Sequence, residues 1–438
     1  MTGGVSARSA LRRYLVVSFL TWLPPGLMLA SMVLLMTERG LTLSEIGVAV
    51  TAYSIVTVGL ELPTGGLADV IGPRVVLAAS AAFTVAGLAL MTMFTNFGMF
   101  LVSNVLMGVA RALSSGPADS WYVDTLHRAE GPGADLKPGL ARGSASGSVA
   151  LCLGVLAGGA APLLVPRSVM FPLAAPPLLG AVAAAVLLVV VVFALPAPAR
   201  ERRSLAGVLR GVPATVAGGV RLAVRGAVLR RLTLAAAASG VVLTSVELLT
   251  PGRLAALAGT AERGGLAYAV VAALGFAGSA FGSALAPRVA RAAGGSARGA
   301  VAGTVMTALS VGALAATAGL DGPAALAGTA LAYVALFAGV SVTGLLCLEL
   351  THRAVTSAER NTVSSTSSLS LQAGAAAANL GLGALASGAG LVAAWAVTAM
   401  VVLASAGLFF RMPLGRVPRD PGAELYSVRG EIRSDPGQ

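Results

Sequence analysis

An all-α membrane protein of twelve transmembrane helices in two six-helix bundles is the fold class that the sequence predicts. Three observations predict it. Of the 438 residues, 56% are hydrophobic and only 11% are charged. The mean hydropathy of +0.85 lies far above the usual range of a water-soluble domain. The apolar residues fall into twelve runs, each near the ~20 residues that cross a bilayer as a helix. Lipid offers the backbone no hydrogen-bond partner, so a spanning segment is a helix or a barrel strand, and runs this long exclude the ~10-residue strands of a barrel.

The first six runs cover residues 13–36, 43–66, 73–94, 97–117, 143–165 and 169–195. Arg8, Arg12 and Arg13 precede the first of them as they would in a signal peptide. The run continues through Trp22, Pro24 and Pro25 to Met36 without a small-residue cleavage site, so an uncleaved first span is expected. Six further runs cover 232–258, 264–287, 299–319, 323–349, 362–386 and 389–411. The expected domains are therefore a bundle over 1–195, a basic cytoplasmic linker over 196–231, a second bundle over 232–411 and a disordered cytoplasmic tail over 412–438. The linker mixes Arg221, Arg225, Arg230 and Arg231 with apolar residues at near-helical spacing, which suits the membrane surface.

Charge orients the spans. With a cytoplasmic N-terminus, 25 of the 30 basic residues lie on the inside, four lie outside, and Arg111 sits within span four. That bias predicts a multi-pass protein of the cell inner membrane with both termini in the cytoplasm. The halves also echo each other: Thr37-Glu38-Arg39-Gly40 follows the first span of one half, and Thr260-Ala261-Glu262-Arg263-Gly264 follows the first span of the other. A six-span internal repeat is the build of two-bundle secondary transporters.

Several chemistries are excluded. The single lysine, Lys137, precedes Pro138, so no Walker-type phosphate loop can be written. Two histidines, His127 and His352, and two separated cysteines, Cys152 and Cys347, form no metal-ligand or redox pattern. No metal, cofactor or enzymatic activity is expected. The net charge of +12 is spread between apolar runs rather than on one face, which argues for the lipid bilayer and against nucleic acid as partner.

The turn between spans two and three reads Gly65-Gly66-Leu67-Ala68-Asp69-Val70-Ile71-Gly72-Pro73-Arg74. Gly72 permits a tight turn, Pro73 suits the first position of span three, and Asp69 lies where helix N-terminal amides favour an anion. Here the chain resembles the major facilitator superfamily, whose signature at this loop matches at Gly65, Asp69, Gly72 and Arg74. Val70 and Val75 stand where that signature is usually basic. The family's drug and proton antiporters commonly carry an arginine in span four followed, after three residues, by glycine. Arg111 matches, with Gly116 one residue late. Gly158-Gly159-Ala160-Ala161-Pro162 is a loose echo of the exporter motif in span five.

An arginine at helix centre costs roughly 2.5 to 3.5 kcal/mol on insertion scales, so Arg111 is expected to face the bundle interior with a partner. Glu61 is the partner expected, because the two lie at similar depth in spans two and four. Asp119 and Asp124, with Trp121 and Tyr122 between them, are inner-gate candidates able to pair with Arg74 or Arg142. Glu247 in span seven lies near the midplane, where a carboxylate is costly and a group so placed can bind and release protons. Pro251 leaves the carbonyl at 247 without its helix bond, as Pro24 and Pro25 do in span one, so a flexible first helix is expected in both halves. The polar stretch Asn361 to Gln372 can line a water-filled path. Glu349, His352, Arg353, Glu359 and Arg360 form a mixed-charge turn.

What the resemblance implies is a monomeric, proton-coupled secondary transporter that exports a small amphiphilic compound by alternating access. Glu247, Arg111 and Glu61 are its coupling and cavity candidates. The alternative within transport is a proton-coupled importer of a small solute. A non-transporting scaffold or integral-membrane enzyme would share the helix count, but the second needs catalytic groups that the sequence does not offer.

Overall fold

The computed structural model describes residues 6–131, 133–196, 226–355 and 360–412, with backbone alone at 62–66, 69, 360–362, 364 and 365. Most of the expected linker and tail lies outside these residues. Among the described residues there is no strand. Eleven helical segments are long and apolar enough to cross a bilayer, and a bent pair makes a twelfth.

Span one is that pair, α1 (Ala7–Leu29) and α2 (Met32–Glu38), bent by 43°. Pro24 and Pro25 lie within α1. The bend comes where the Ser31 amide donates to the Met28 carbonyl at 3.1 Å, one residue short of the α-helical register. Span two, α3 (Leu43–Ile71), starts on a capping box in which Thr42 and Glu45 satisfy each other's backbone amides. It ends at Gly72, whose φ of +91° only glycine adopts cheaply, and Pro73 opens span three, α4 (Pro73–Met93), at once.

Span four is α5 (Phe97–Ser114), capped by Asn96. Gly116 at φ +95° and Pro117 then start α6 (Pro117–Glu130), so Asp119 and Asp124 stand on a short helix of their own. Span five is α7 (Lys137–Leu164), longer than the apolar run at its basic end, and span six is α8 (Ala175–Ala194) after a 3-10 turn at Pro172–Ala174.

The second half runs through α9 (Ala227–Ala258), α10 (Ala261–Ala292), α11 (Ser296–Thr317), α12 (Gly322–Ala354), α13 (Arg360–Ala389) and α14 (Leu391–Ala406), which are spans seven to twelve. Here an expectation needs correction. Pro251 does not break span seven, which stays one helix, and Pro24 and Pro25 do not break α1; span one bends only beyond them.

Neighbour relations repeat with an offset of six. Span one packs on five and six, two on four, and three on four and six; correspondingly seven packs on eleven and twelve, eight on ten, and nine on ten and twelve. Small residues let backbones touch at these seams. A Cβ on Gly158 would lie 2.1 Å from the Leu27 carbonyl oxygen, and one on Gly278 would lie 2.4 Å from that of Val334. The bundles meet through spans two and eleven and through five and eight, a reciprocal pair under the same offset.

The cores show how they meet. With twelve crossings both described ends of the chain share one face. Toward the opposite face a single core joins Met28, Leu34, Leu88 and Val155 of the first bundle to Val246, Tyr268 and Leu336 of the second. Toward the terminal face the cores of the described residues are separate: Tyr14, Trp121 and Leu187 belong to one bundle, and Leu232, Ala300 and Leu346 to the other.

Candidate functional site

A cavity of about 410 Å³ lies between the bundles beneath the shared core. Met28, Met32, Met91 and Met107 form much of its first-bundle wall, with Phe276 opposite. Thioethers are polarisable and adaptable, which suits an apolar guest of variable shape. Tyr53, Asn104, Thr244, Gln372 and Asn379 supply polar groups, and Glu247 is the one charged residue among the described lining residues. Gln372 bears on the expectation for the polar stretch that it ends, because its side chain reaches the wall.

Glu247 sits deep in the molecule, yet its side chain is exposed because it faces the cavity rather than a packed neighbour. Among the described residues it makes no side-chain hydrogen bond or ion pair. Neither Arg253 nor Arg111 pairs with it: Arg253 donates to the carbonyls of Thr317 (3.1 Å) and Leu320 and lies 3.7 Å from Asp321. Arg111 holds its guanidinium 4.5 Å from the centre of the Trp22 ring. The Tyr333 hydroxyl donates to the Val246 carbonyl at 3.1 Å, which ties span ten to span seven beside Glu247.

The direct Glu61–Arg111 pair expected from matched depth does not form among the described residues. Glu61 accepts from Ser115 Oγ at 3.4 Å instead, while Arg111 turns toward span one. Matched depth leaves the azimuth around each helix open, and the azimuths differ. Arg111 lines a smaller space of about 50 Å³ that shares Pro25, Tyr53 and Met107 with the larger cavity.

Asp119 accepts a 2.6 Å hydrogen bond from Tyr14, whose ring stacks on Tyr122 at 4.6 Å, so α6 is pinned to span one within its own bundle. The Asp124 carbonyl accepts from Arg128 Nε at 2.9 Å. Arg74, weighed as a partner for these aspartates, donates to the Val192 carbonyl of span six. Gly72 forms the tight turn expected of it. Gly65 lies within α3, and the Asp69 side chain lies outside what is described. Glu349 takes Arg353 at 2.5 Å and Ser296 at 2.9 Å, a local cluster at the terminal face, and Glu359 lies outside the described residues.

Sequence reasoning missed Tyr53, Asn104, Asn379 and the methionine wall. The two asparagines carried a signal, since an amide inside an apolar run is costly unless it faces protein or water. The methionines carried none, being indistinguishable from lipid-facing apolar residues until the helices are packed.

Comparison with known proteins agrees with this architecture. Residues 14–378 match the family model described as Major Facilitator Superfamily. A search of curated protein sequences returns no match. Among solved structures the chain is similar to the nucleoside transporter NupG, at 14% identity and a TM-score of 0.74 over 92% of this chain and 98% of that one. It is also similar to a bacterial homologue of the human lysosomal transporter Spinster in an inward-facing, occupied conformation, at 14% identity and TM-score 0.68 over 91% and 95% of the two chains. An auto-inhibited peptide transporter of the POT family aligns at 15% identity and TM-score 0.68 over 94% and 98%. Likeness at this identity speaks to the fold alone; the family match spans most of the chain, and the protein belongs to the major facilitator superfamily.

Proposed function

We propose that this secondary transporter couples export of a small amphiphilic compound to proton entry, with Glu247 as the proton-carrying carboxylate. One observation carries the reading: a single acid, without an ion-pair partner among the described residues, faces a largely apolar cavity between two bundles. A carboxylate so placed needs a proton or a cationic guest to offset its desolvation. It cannot hold both at once, so exchange of one for the other follows from charge balance.

The cores support the rocking that transport needs. The bundles share a core toward one face and part toward the other, which is one end-state of an alternating-access cycle. The arginine bias assigns the terminal face to the cytoplasm of a cell inner membrane, so this state faces inward. Export is favoured over import by a wall with few polar groups for recognising a hydrophilic nutrient. In this reading the protein works as a monomer. The turn at Gly65, Asp69, Gly72 and Arg74, with Asp119 and Asp124 on α6, controls closure at the terminal face.

The test uses the full chain in proteoliposomes under an imposed pH gradient, with amphiphilic cations, anions and zwitterions as probes and an internal pH dye as readout. Glu247→Gln keeps the side-chain size and removes titration. Proton-driven flux should vanish in the variant while gradient-free substrate exchange survives. Unchanged proton-driven flux overturns the assignment. Reduced yield with intact coupling assigns Glu247 to packing instead.

A further inference from the structure

Arg111 is not used by the reading above, and its surroundings are unusual for a half-buried cation within a span. Its guanidinium carries five N–H donors, and among the described residues none is spent on a hydrogen bond or an ion pair. Among the described residues its one specific contact is the face of Trp22. The nearby hydroxyls are turned to backbone: Ser80 donates to Ala110, Thr84 to Ser80 and Ser114 to the Arg111 carbonyl. The guanidinium therefore borders a space of about 50 Å³ with its donors available. A water needs at least ~10–15 Å³ measured this way, so the space suits a group of a few heavy atoms rather than a ring.

This small space is not isolated. Pro25, Tyr53 and Met107 belong to its wall and to that of the 410 Å³ cavity. Tyr53 lines both spaces and lies within electrostatic reach of Arg111, Glu247 and Glu61. The two adjoining spaces thus offer a cation in the smaller, a carboxylate in the larger and methionines along the wall between. A guest bearing only a positive charge balances Glu247 and leaves Arg111 facing a like charge. A purely anionic guest makes the reverse error, and a neutral one leaves both charges unanswered.

We propose that the joined spaces bind a zwitterion, with a compact anionic group of the carboxylate class at Arg111, an ammonium at Glu247 and an apolar body along the methionine wall. The proposal rests on Glu247 being the charged group of the cavity, as in the transport reading, and adds Arg111 as the residue that selects the anionic end. Planar guanidinium donors match a carboxylate in bidentate geometry, which a lysine at this position would not reproduce.

Binding to the purified full chain tests it, read as thermal stabilisation and titrated affinity. The probes are phenylalanine and two phenyl-substituted amino acids with two and four further methylenes between the charges. Each is used as the zwitterion, as its carboxamide and as its N-acetyl acid. At one charge separation the zwitterion should bind at least about tenfold more tightly than both singly charged forms. Arg111→Gln should erase its advantage over the carboxamide, and Glu247→Gln its advantage over the N-acetyl acid. Arg111→Lys, which keeps the charge, should retain part of the preference and thereby exclude a mere folding defect. Carboxamides binding as well as zwitterions at every separation, a preference that survives Arg111→Gln, or no binding by any probe each overturns the proposal. If carboxamides drive Glu247-dependent proton flux and Arg111→Gln is indifferent, the transport reading stands and the zwitterion fails. If zwitterions bind through Arg111 without any proton flux, the site stands and proton coupling fails.

Discussion

Arg167 and Glu262 join the two bundles through a 2.9 Å ion pair at the face opposite the chain termini. Arg167 lies between spans five and six, Glu262 in the first turn of span eight, so the bond crosses the seam that must open in the other half of a transport cycle. The arginine side chain is 74% exposed, so solvent screens the pair and leaves it weak.

A latch of that strength biases the equilibrium without locking it. Arg167→Gln or Glu262→Gln should raise the population open at this face by at most about fivefold. Labelling of a cysteine at Leu34, within the shared core, measures it in a background lacking Cys152 and Cys347. The charge-swapped double variant should restore the slow labelling; if it labels as fast as the single variants, the pair has no gating role.

Packing at the same seam has a stricter requirement. A Cβ on Gly47 of span two would lie 2.1 Å from the carbonyl oxygen of Asn379 on span eleven. Backbone cannot step aside as a side chain can, so Gly47→Ala should hold the bundles apart at this face and depress flux strongly. Gly59→Ala, on the same helix with nothing within 4 Å of the new carbon, should leave flux unchanged. Equal effects from both substitutions would show that helix propensity, not the close approach, is responsible.

Arg111 should couple energetically to Trp22 rather than to Glu61. A double-mutant cycle with Trp22→Leu and Arg111→Met should give a coupling of about 1 kcal/mol, in the range of a partly desolvated cation–π contact. The cycle with Glu61→Gln should give a smaller value. The reverse order would restore the ion pair that matched depth suggests.

Reporter fusions at Arg429 and within 200–231 should both signal from the cytoplasm, as the placement of 25 of 30 basic residues on one side requires. A periplasmic signal from either fusion would invert the proposed direction of every gating statement above.

The sequence alone determined the number and order of the spans, because each spanning helix satisfies its own backbone and the apolar run that lets it do so is contiguous. It also marked Glu247, since one carboxylate in an apolar run near midplane is costly wherever its helix packs. Local turn chemistry was equally legible: Gly72 and Pro73 sit between spans two and three as their backbone preferences dictate. Partnership was not. Position along a helix gives depth, but the direction a side chain faces depends on how that helix is rotated against its neighbours. Glu61 and Arg111 therefore share a level and meet different residues. Prolines likewise permit a break without requiring one: α1 runs through Pro24 and Pro25 and span seven through Pro251 unbroken, and span one bends only beyond its prolines, near Ser31. The cavity itself belongs to the tertiary structure. Its wall is drawn from spans one to five, seven, eight and eleven, and only the packing of the two bundles decides which of many apolar residues face a guest rather than lipid.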